Sequence, residues 1–421
     1  MSVIDEYLAR TPRSRSLFER ATASLPGGST RTTVYTAPYP PYIEHGEGLH
    51  VVDVDGNRYR DFLGNYTSLI LGHAHPAVVA AVEAQVRRGS AFAAPTEVEI
   101  ELAEEIRRRV PSIEQLRFTT SGTEATMFAI RAARAFTGRP LIGTFERAYH
   151  GTHDGVMGGT AGVPAAIGGL AISLPWDDID GVRQAIAGRE EQLAAILIEP
   201  VQGAGGVRPA GEGFLRALRS LADRAGALLV FDEIISFRLG PGGVQGLSGI
   251  RPDLTTLGKI IGGGYPLAAF GGRADVMELF DARRAGAVSH GGTYNGNPVA
   301  AAAGLATLRE LTAPAYTKLE KLGARLRDRI AAEIAGSGSN ARVDGVGSVF
   351  QVFAGETVSA VATGVPVANP VYLGLLLEGF LVAPRGMGAI PLVATESDVD
   401  DLARAVGRVL ATSGAAVVAS R

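Results

Sequence analysis

Apolar and polar positions alternate between two periods through the middle of the chain. Short apolar runs, typical of buried strands, are separated by longer segments with apolar positions at helical spacing. The predicted strands cover residues 115–118, 141–145, 195–198, 228–231 and 268–270. The predicted helices cover residues 76–89, 96–110, 123–136, 213–225 and 298–311. This alternation predicts an α/β fold with a mostly parallel sheet covered on both faces.

The two ends of the chain carry a different pattern. Residues 14–25 predict an amphipathic helix, and residues 43–62 predict a small antiparallel meander that turns at Asp55-Gly-Asn57. Near the other end, helices are predicted over residues 315–335 and 396–410, and strands over residues 346–353 and 380–383. A chain of 421 residues is long for one core. We therefore predict a large domain of residues 73–311 and a smaller domain built from residues 1–72 and 312–421.

Composition narrows the functional classes. The formal net charge of −3, from 40 basic and 43 acidic residues, gives no support for a nucleic acid or a basic membrane surface as partner. The chain has no cysteine, which excludes disulfides and thiolate chemistry, and seven histidines without cysteine make a catalytic metal unexpected. We find neither a secretory signal nor an apolar stretch near the roughly 20 residues of a membrane span. The expected location is the cytoplasm.

Asp232 and Lys259 are the strongest candidates for chemistry. Asp232 ends an apolar run over residues 227–231, and Lys259 follows a predicted polar turn and precedes Gly262-Gly-Gly264. Residues 254–269 hold no other charge, and desolvation there would favour the free amine that imine formation requires. The pair suits pyridoxal 5′-phosphate (PLP), bound as a Schiff base to the lysine with the acid at its ring nitrogen. The ordinary alternatives are a surface lysine and a helix cap.

Residues 121–123 form a candidate phosphate site. Ser121, Gly122 and Thr123 follow a predicted strand and open a predicted helix, whose free N–H groups and dipole attract anions. A Ser/Thr helix cap is the alternative explanation of the same residues.

Three further side chains follow predicted strands. Tyr149 could stack on a flat ring, although a half-buried loop aromatic is equally consistent with its position. Ile234 lies two residues after Asp232 and could pack on the same ring. Glu199 places a second carboxylate at the same edge of the sheet.

Over nearly its whole length, the chain resembles the class III aminotransferases of PLP fold type I. The similarity is closest to β-amino-acid (β-phenylalanine type) aminotransferases and to glutamate-1-semialdehyde aminomutases. The segments that carry it are Leu25-Pro-Gly-Gly28, Leu71-Gly-His-Ala-His-Pro76, Phe118-Thr-Thr-Ser-Gly-Thr-Glu-Ala125, Ala148-Tyr-His-Gly151, Ile198-Glu-Pro200, Leu229-Val-Phe-Asp-Glu-Ile234, Leu257-Gly-Lys259 and Gly262-Gly-Gly-Tyr-Pro266. The resemblance implies a large domain with a seven-stranded, mainly parallel sheet and a small α+β domain from both termini.

The resemblance also implies a role for each candidate. Lys259 would hold the cofactor and move a proton between substrate and cofactor, and Asp232 would pair with the ring nitrogen. The other implied cofactor contacts are Ser121, Gly122 and Thr123 at the phosphate, Tyr149 and Ile234 on the two faces of the ring, and Thr293 at the phosphate of the neighbouring subunit. The position of Thr293 implies an obligate homodimer with shared active sites.

Three residues are the candidates for substrate binding. Arg31 could bind a carboxylate through two hydrogen bonds. The aminomutase pattern has a glutamate near the segment that here covers residues 382–390, where this chain has no acid and instead carries Arg385, as the β-phenylalanine type enzymes do. A second arginine suits a dicarboxylic acceptor, and Tyr66 could line the pocket.

The preferred function is transfer of an amino group from an aromatic β-amino acid to a keto acid such as 2-oxoglutarate or pyruvate. A glutamate-1-semialdehyde aminomutase or a related PLP isomerase or racemase is the alternative, and such an enzyme needs no separate acceptor. A nucleotide-binding α/β enzyme is disfavoured because no GxGxxG or GxxxxGK[ST] motif stands at a strand-to-helix turn. A non-catalytic binding protein is disfavoured because both Lys259 and Asp232 are present.

Overall fold

The computed structural model describes residues 2–354 and 368–418. It divides into two units: Pro76–Tyr316, here the large unit, and Met1–His75 with Thr317–Arg421, here the small unit. The domain boundaries predicted from the sequence stay a prediction.

The helices and strands of the described residues alternate as follows. The helices are α1 (Val3–Arg10), α2 (Pro12–Thr22), α3 (Gly64–Thr67), α4 (Pro76–Arg88), α5 (Glu97–Arg109), α6 (Gly122–Thr137), α7 (Ala165–Gly168), α8 (Ile179–Ile186), α9 (Glu212–Ala225), α10 (Gly243–Ser248), α11 (Ala274–Met277), α12 (Pro298–Glu310), α13 (Ala313–Ser337), α14 (Pro370–Leu377) and α15 (Glu396–Val418). The strands are β1 (Ile43–Glu47), β2 (His50–Asp53), β3 (Arg58–Asp61), β4 (Gln115–Thr119), β5 (Leu141–Phe145), β6 (Ala171–Leu174), β7 (Leu193–Ile198), β8 (Val201–Gln202), β9 (Arg208–Pro209), β10 (Leu228–Asp232), β11 (Leu254–Leu257), β12 (Ala268–Gly272), β13 (Arg342–Val346), β14 (Val349–Phe353), β15 (Phe380–Leu381) and β16 (Met387–Ala389).

The large unit is built on a seven-stranded sheet with the order β4-β12-β11-β10-β7-β5-β6. Strand β12 runs antiparallel to both neighbours, and the other described pairs of this sheet are parallel. One face carries an apolar cluster that includes Phe128 of α6, and the other carries a cluster that includes Val182 of α8 and Phe214 of α9. The predicted α/β fold, with a mainly parallel sheet covered on both faces, is confirmed.

Two strands of this sheet were missed, and one of them changes the surroundings of Lys259. The prediction of a polar turn before that lysine was wrong, because β11 lies buried between β10 and β12. Its two threonines have the branched side chains that strands favour. Their hydroxyls also have partners: Thr256 Oγ1 donates to Asp232 Oδ1 at 3.1 Å, and Gln245 Nε2 donates to Thr255 Oγ1 at 3.2 Å.

The small unit contains two sheets, β1-β2-β3-β15 and β13-β14-β16, whose described strand pairs are antiparallel except for β3 and β15. Strands β1, β2 and β3 form the predicted meander, and β15 pairs in parallel with β3, so that the two ends of the chain share one sheet. The strand predicted over residues 346–353 corresponds to β14, and its antiparallel partner β13, which ends at Val346 before Gly347 at positive φ, was not predicted. The predicted first helix corresponds to α2, and α1 before it was not predicted.

Within the described ranges, the structure has no helix of the length and apolar character that crossing a membrane requires.

Candidate active site

Asp232 lies at the carboxyl end of β10, a strand whose five residues are all buried. Its Oδ2 is 2.8 Å from His150 Nδ1, and its Oδ1 accepts hydrogen bonds from Thr256 Oγ1 at 3.1 Å and from the Ile234 backbone N–H at 3.2 Å. Both carboxylate oxygens of Asp232 therefore have hydrogen-bond partners, which a buried acid at the carboxyl ends of the strands requires.

His150, to which the sequence motifs gave no role, is the buried partner of Asp232. Burial disfavours the charged imidazole, but the hydrogen bond and negative charge of Asp232, with a further contribution from Glu199, outweigh it and raise the pKa of His150. The His150 Nε2 atom is buried and has no hydrogen-bond partner among the described residues. A bound group could satisfy it.

Lys259 lies two residues after the end of β11, the strand beside β10. Asp232 and Thr256 are register partners across these parallel strands, so the acid and the lysine lie at the same edge of the sheet. Lys259 is half-buried and has a backbone φ of 51°, a left-handed conformation that non-glycine residues rarely adopt. The chain contains three lysines, and the other two, Lys318 and Lys321, are exposed on α13. The scarcity of lysine is a sequence signal that strengthens the candidacy of Lys259.

Ser121, Gly122 and Thr123 form the amino-terminal end of α6. Ser121 Oγ accepts from the Glu124 N–H at 3.2 Å, and the Glu124 carboxylate accepts in return from the Ser121 N–H at 3.1 Å, so the predicted alternative of a helix cap is also present. The cap leaves the N–H groups of Gly122 and Thr123 without an acceptor inside the helix, because the first turn has none. These N–H groups can hold an anion.

Glycines bring this helix end close to the rest of the site. A Cβ atom at Gly122 would lie 2.7 Å from Ile234 Cδ1, and one at Gly151 would lie 2.5 Å from Thr123 Oγ1. A Cβ at Gly258, the residue before Lys259, would lie 3.4 Å from Ile234 Cγ2. The side chain of Ile234 thus packs between the candidate phosphate site and the lysine.

The side chain of Glu199 binds backbone N–H groups of the loop that carries Tyr149 and of the segment after β8. Glu199 Oε2 accepts from the Tyr149 N–H at 2.9 Å, and Oε1 accepts from the Gly203 N–H at 3.0 Å. Burial raises the pKa of Glu199. Tyr149 is 46% exposed. Thr293 is exposed in the loop before α12, and its predicted contact with a second subunit stays a prediction.

The three candidate substrate residues lie together in the small unit. Arg31 Nη1 donates to Asn65 Oδ1 at 3.0 Å, the Tyr66 hydroxyl donates to the Thr33 carbonyl, and Arg385 Cζ lies 6.0 Å from the centre of the Tyr66 ring. Burial raises the pKa of Tyr66, against the opposing effect of Arg385 and Arg31.

The turn that carries Tyr66 is strained. The φ angles of Gly64, Asn65, Tyr66 and Thr67 are 54°, 49°, 54° and 77°, so α3 is one turn with left-handed backbone. Such a conformation costs about 1–2 kcal/mol per non-glycine residue. Strain of this kind persists only where the surrounding structure holds it, and it concentrates at functional sites.

A family model described as aminotransferase class-III matches residues 34–403. The chain belongs to the class III aminotransferases. It is 45% identical over 360 residues, 82% of each protein, to a glutamate-1-semialdehyde 2,1-aminomutase of Sorangium cellulosum. A β-phenylalanine aminotransferase of Variovorax paradoxus is 38% identical with a TM-score of 0.90, over 98% of this chain and 97% of the other. A transaminase with PLP bound is 37% identical with a TM-score of 0.91, over 96% of this chain and 99% of the other.

The predicted family, enzyme class and cofactor are confirmed. The residues described above also fit PLP. Asp232 would offer a buried acid to its ring nitrogen, Lys259 an amine to its aldehyde, and the start of α6 its N–H groups to the phosphate. The close approach of Gly122 and Gly151 to Ile234 and to the Thr123 backbone and hydroxyl leaves no room for a further methyl group beside that phosphate site.

Gly151→Ala is expected to weaken PLP binding and to lower the free energy of unfolding by about 1–3 kcal/mol. The new Cβ would lie 2.7 Å from Thr123 Cα. The alanine would also have to adopt a backbone φ of 92°, which non-glycine residues rarely do. PLP titration and thermal denaturation measure the two effects. Gly138→Ala is the matched control, because Gly138 has φ of 70° at the other end of α6 and open space around it. Equal PLP affinity in the two variants would contradict the assignment of the phosphate site.

Proposed function

We propose that the enzyme transfers the amino group of an aromatic β-amino acid to a keto acid such as 2-oxoglutarate or pyruvate. The observation that carries the proposal is the cluster of Arg31, Tyr66 and Arg385 in the small unit. Two guanidinium groups beside one aromatic ring offer a carboxylate bidentate partners and offer the rest of the substrate an apolar surface. A donor with one carboxylate and an acceptor with two could both use this cluster.

PLP, when bound, supplies an electron-accepting ring for the electron pair left as the donor carbon loses its proton. Lys259 would hold the cofactor, and its Nζ would move a proton from the amine-bearing carbon of the donor to the cofactor, and in the second half-reaction from the cofactor to the acceptor carbon. Asp232 would keep a proton on the ring nitrogen, and His150 donates to Asp232 through Nδ1. Gly122 and Thr123 would hold the phosphate through their N–H groups.

The remaining assignments orient the reacting groups. Tyr149 and Ile234 would cover the two faces of the ring, and Glu199 accepts a hydrogen bond from the backbone N–H of Tyr149. Over the two half-reactions the donor loses nitrogen and leaves as a keto acid, and the acceptor gains that nitrogen and leaves as an amino acid. Lys259 Nζ moves a proton in each direction, so no net proton is consumed by the protein.

We also propose a homodimer in which Thr293 reaches the phosphate bound by the partner. Exposed apolar side chains on the large unit support an interface between copies, among them Val86 at 51%, Phe92 at 50% and Ile100 at 54% exposure. A cytoplasmic location stays a prediction.

A glutamate-1-semialdehyde aminomutase is the second candidate. The observation in its favour is the name of the Sorangium cellulosum relative, which is 45% identical. Against it stands the segment over residues 382–390, which carries Arg385 and no acid. The two functions differ in one requirement: an aminomutase moves nitrogen within one substrate and needs no keto-acid acceptor.

A donor screen with and without acceptor tests the proposal. We expect turnover of aromatic β-amino acids with 2-oxoglutarate or pyruvate, and no sustained turnover when the keto acid is omitted, because the nitrogen then has no acceptor. The measurement is the appearance of the acceptor-derived amino acid. α-Amino acids and simple amines serve as comparison donors. Activity on simple amines alone would contradict the carboxylate role of Arg31, and conversion of glutamate-1-semialdehyde without acceptor would favour the aminomutase.

A further inference from the structure

A buried acid, Asp61, accepts hydrogen bonds at the start of the left-handed turn Gly64–Thr67. Asp61 Oδ1 accepts hydrogen bonds from the Leu63 N–H at 2.8 Å and from the Gly64 N–H at 2.9 Å. Asp61 is only 4% exposed, at the end of β3. Because these two N–H groups lead directly into the strained residues, the orientation of the Asp61 carboxylate sets where the turn begins.

His73 fixes that carboxylate from the other side. His73 Nε2 lies 2.7 Å from Asp61 Oδ2, and since an ionised carboxylate only accepts, the imidazole donates. The two residues enclose the turn between them in sequence, so their hydrogen bond closes the loop over residues 61–73. We call this hydrogen bond the Asp61–His73 clamp.

The position of His73 is itself determined by its neighbours. Two backbone hydrogen bonds join His73 to Gly48. The His73 carbonyl accepts from the Gly48 N–H at 2.9 Å, and the His73 N–H donates to the Gly48 carbonyl at 2.8 Å. Its ring lies against Gly46, where a Cβ atom would come within 2.7 Å of His73 Nδ1. The clamp is therefore attached to the β1–β2 hairpin, which does not contain any candidate substrate residue.

The turn contains or contacts all three residues assigned to substrate binding. Asn65 accepts from Arg31, the Tyr66 hydroxyl reaches the Thr33 carbonyl, and the guanidinium of Arg385 lies over the Tyr66 ring. A change of backbone at residues 64–67 would move all of these contacts together, because each depends on the left-handed conformation of Asn65 and Tyr66.

We propose that Asp61 and His73 are positioning residues that determine the preference for carboxylate-bearing substrates by holding the Tyr66 turn in its left-handed form. The inference rests on the proposed function of Arg31 and Tyr66. Neither Asp61 nor His73 is assigned a contact with substrate or cofactor. Loss of the clamp therefore changes substrate affinity through the turn, while the cofactor residues of the large unit keep their local contacts.

The test compares His73→Ala with His73→Gln and with His45→Ala in the PLP-bound enzyme. Glutamine can still donate an N–H to Asp61, and His45 is an exposed histidine 3.6 Å from Glu44, which makes it a control for loss of a surface imidazole–acid pair. Two readouts are used. Hydrogen exchange of the segment over residues 63–69 reports the turn, and the ratio of kcat/KM for β-phenylalanine to that for 1-phenylethylamine reports carboxylate preference.

We expect His73→Ala to speed exchange at residues 63–69 and to lower the preference roughly tenfold through a higher KM, with kcat and the absorbance of bound cofactor little changed. His73→Gln is expected to retain most of the preference, and His45→Ala all of it. Unchanged exchange, or an unchanged preference with faster exchange, would overturn the inference. If His73→Ala fails to fold, Asp61→Asn takes its place, because asparagine keeps an acceptor for the turn and loses the charge that His73 binds.

The outcomes also separate this inference from the proposed function. A wild-type enzyme that shows no preference for β-phenylalanine would contradict the function proposed for Arg31, and with it the specificity role of the clamp. Hydrogen exchange would then still decide whether the clamp holds the turn. A clear preference in the wild type that survives His73→Ala would contradict the clamp alone.

Discussion

Lys259→Ala is expected to abolish turnover, lowering kcat by at least roughly 10³-fold, and to remove the absorbance of lysine-linked PLP. The expected loss is large because one amine is assigned two tasks, the covalent hold on the cofactor and the transfer of the proton. Alanine leaves no group at that position that can do either. The variant should still bind PLP through the α6 N-terminus and Asp232, which do not depend on the lysine side chain.

The structure makes this prediction sharper than the motif alone does. Lys259 is half-buried directly after β11, whereas Lys318 and Lys321 are exposed on α13. Reduction of the PLP-bound enzyme with borohydride followed by peptide mapping should therefore label one of three lysines. The expected label lies on the peptide that contains Lys259.

Lys321→Ala is the matched control for Lys259→Ala. It removes an exposed lysine, and kcat, absorbance and borohydride labelling are expected to stay at wild-type values. Two outcomes would refute the assignment of the catalytic lysine: sustained turnover by Lys259→Ala, or a borohydride label in the wild-type enzyme on Lys318 or Lys321 of α13.

The predictability of the fold follows from the length and polarity of its elements. Strands such as β7 and β10 are continuous apolar runs, and helices such as α6 and α9 carry regular apolar spacing, so their sequence patterns were sufficient. Strand β11 was missed because two of its four residues are threonines, whose hydroxyls look polar in sequence. In the structure those hydroxyls bond to Asp232 and Gln245, so a threonine can be fully buried there.

The candidate site was predictable where one residue type carries the chemistry, as Lys259 and Asp232 do. Residues that act through a partner were not. His150 became significant only when the fold placed its Nδ1 2.8 Å from Asp232, 82 positions away in sequence. The left-handed backbone at Tyr66 was not predicted either, because Gly64 and Asn65 tolerate positive φ, whereas tyrosine and threonine rarely adopt it. Hydrogen bonds made in the folded chain, among them those to Asp61, hold the backbone in this conformation.

Asp232→Asn is the second substitution with a large expected effect, a loss of roughly 10²–10³-fold in kcat with PLP still bound to Lys259. Asparagine has nearly the size of aspartate and keeps one oxygen for the hydrogen bonds of His150 or Thr256, so the fold should persist. It lacks the negative charge that stabilises a proton on the ring nitrogen. Without that proton the ring accepts the donor's electron pair less well, which raises the barrier of the proton-transfer step.

The pH dependence distinguishes this cause from a general disturbance of the site. A carboxylate beside a nitrogen base raises the pKa of that base, so the substitution lowers the pKa of the ring nitrogen. The nitrogen then loses its proton at a lower pH than in the wild type. The activity limb that depends on this proton is expected to shift to lower pH, and acidification should restore part of the lost kcat. The measurement is kcat against pH for both enzymes, with the cofactor absorbance recorded at each point.

Asp253→Asn supplies the control, because Asp253 is also a buried acid of the same sheet. It precedes β11 at the edge opposite to Asp232, accepts from the Leu229 N–H at 2.8 Å, and pairs with Arg219 at 2.7 Å and Arg273 at 2.9 Å. Its loss should reduce stability, since it removes one partner of two ion pairs, and should leave kcat per folded enzyme and its pH profile unchanged. A wild-type pH profile in Asp232→Asn would show that the acid at the end of β10 does not act on the ring nitrogen.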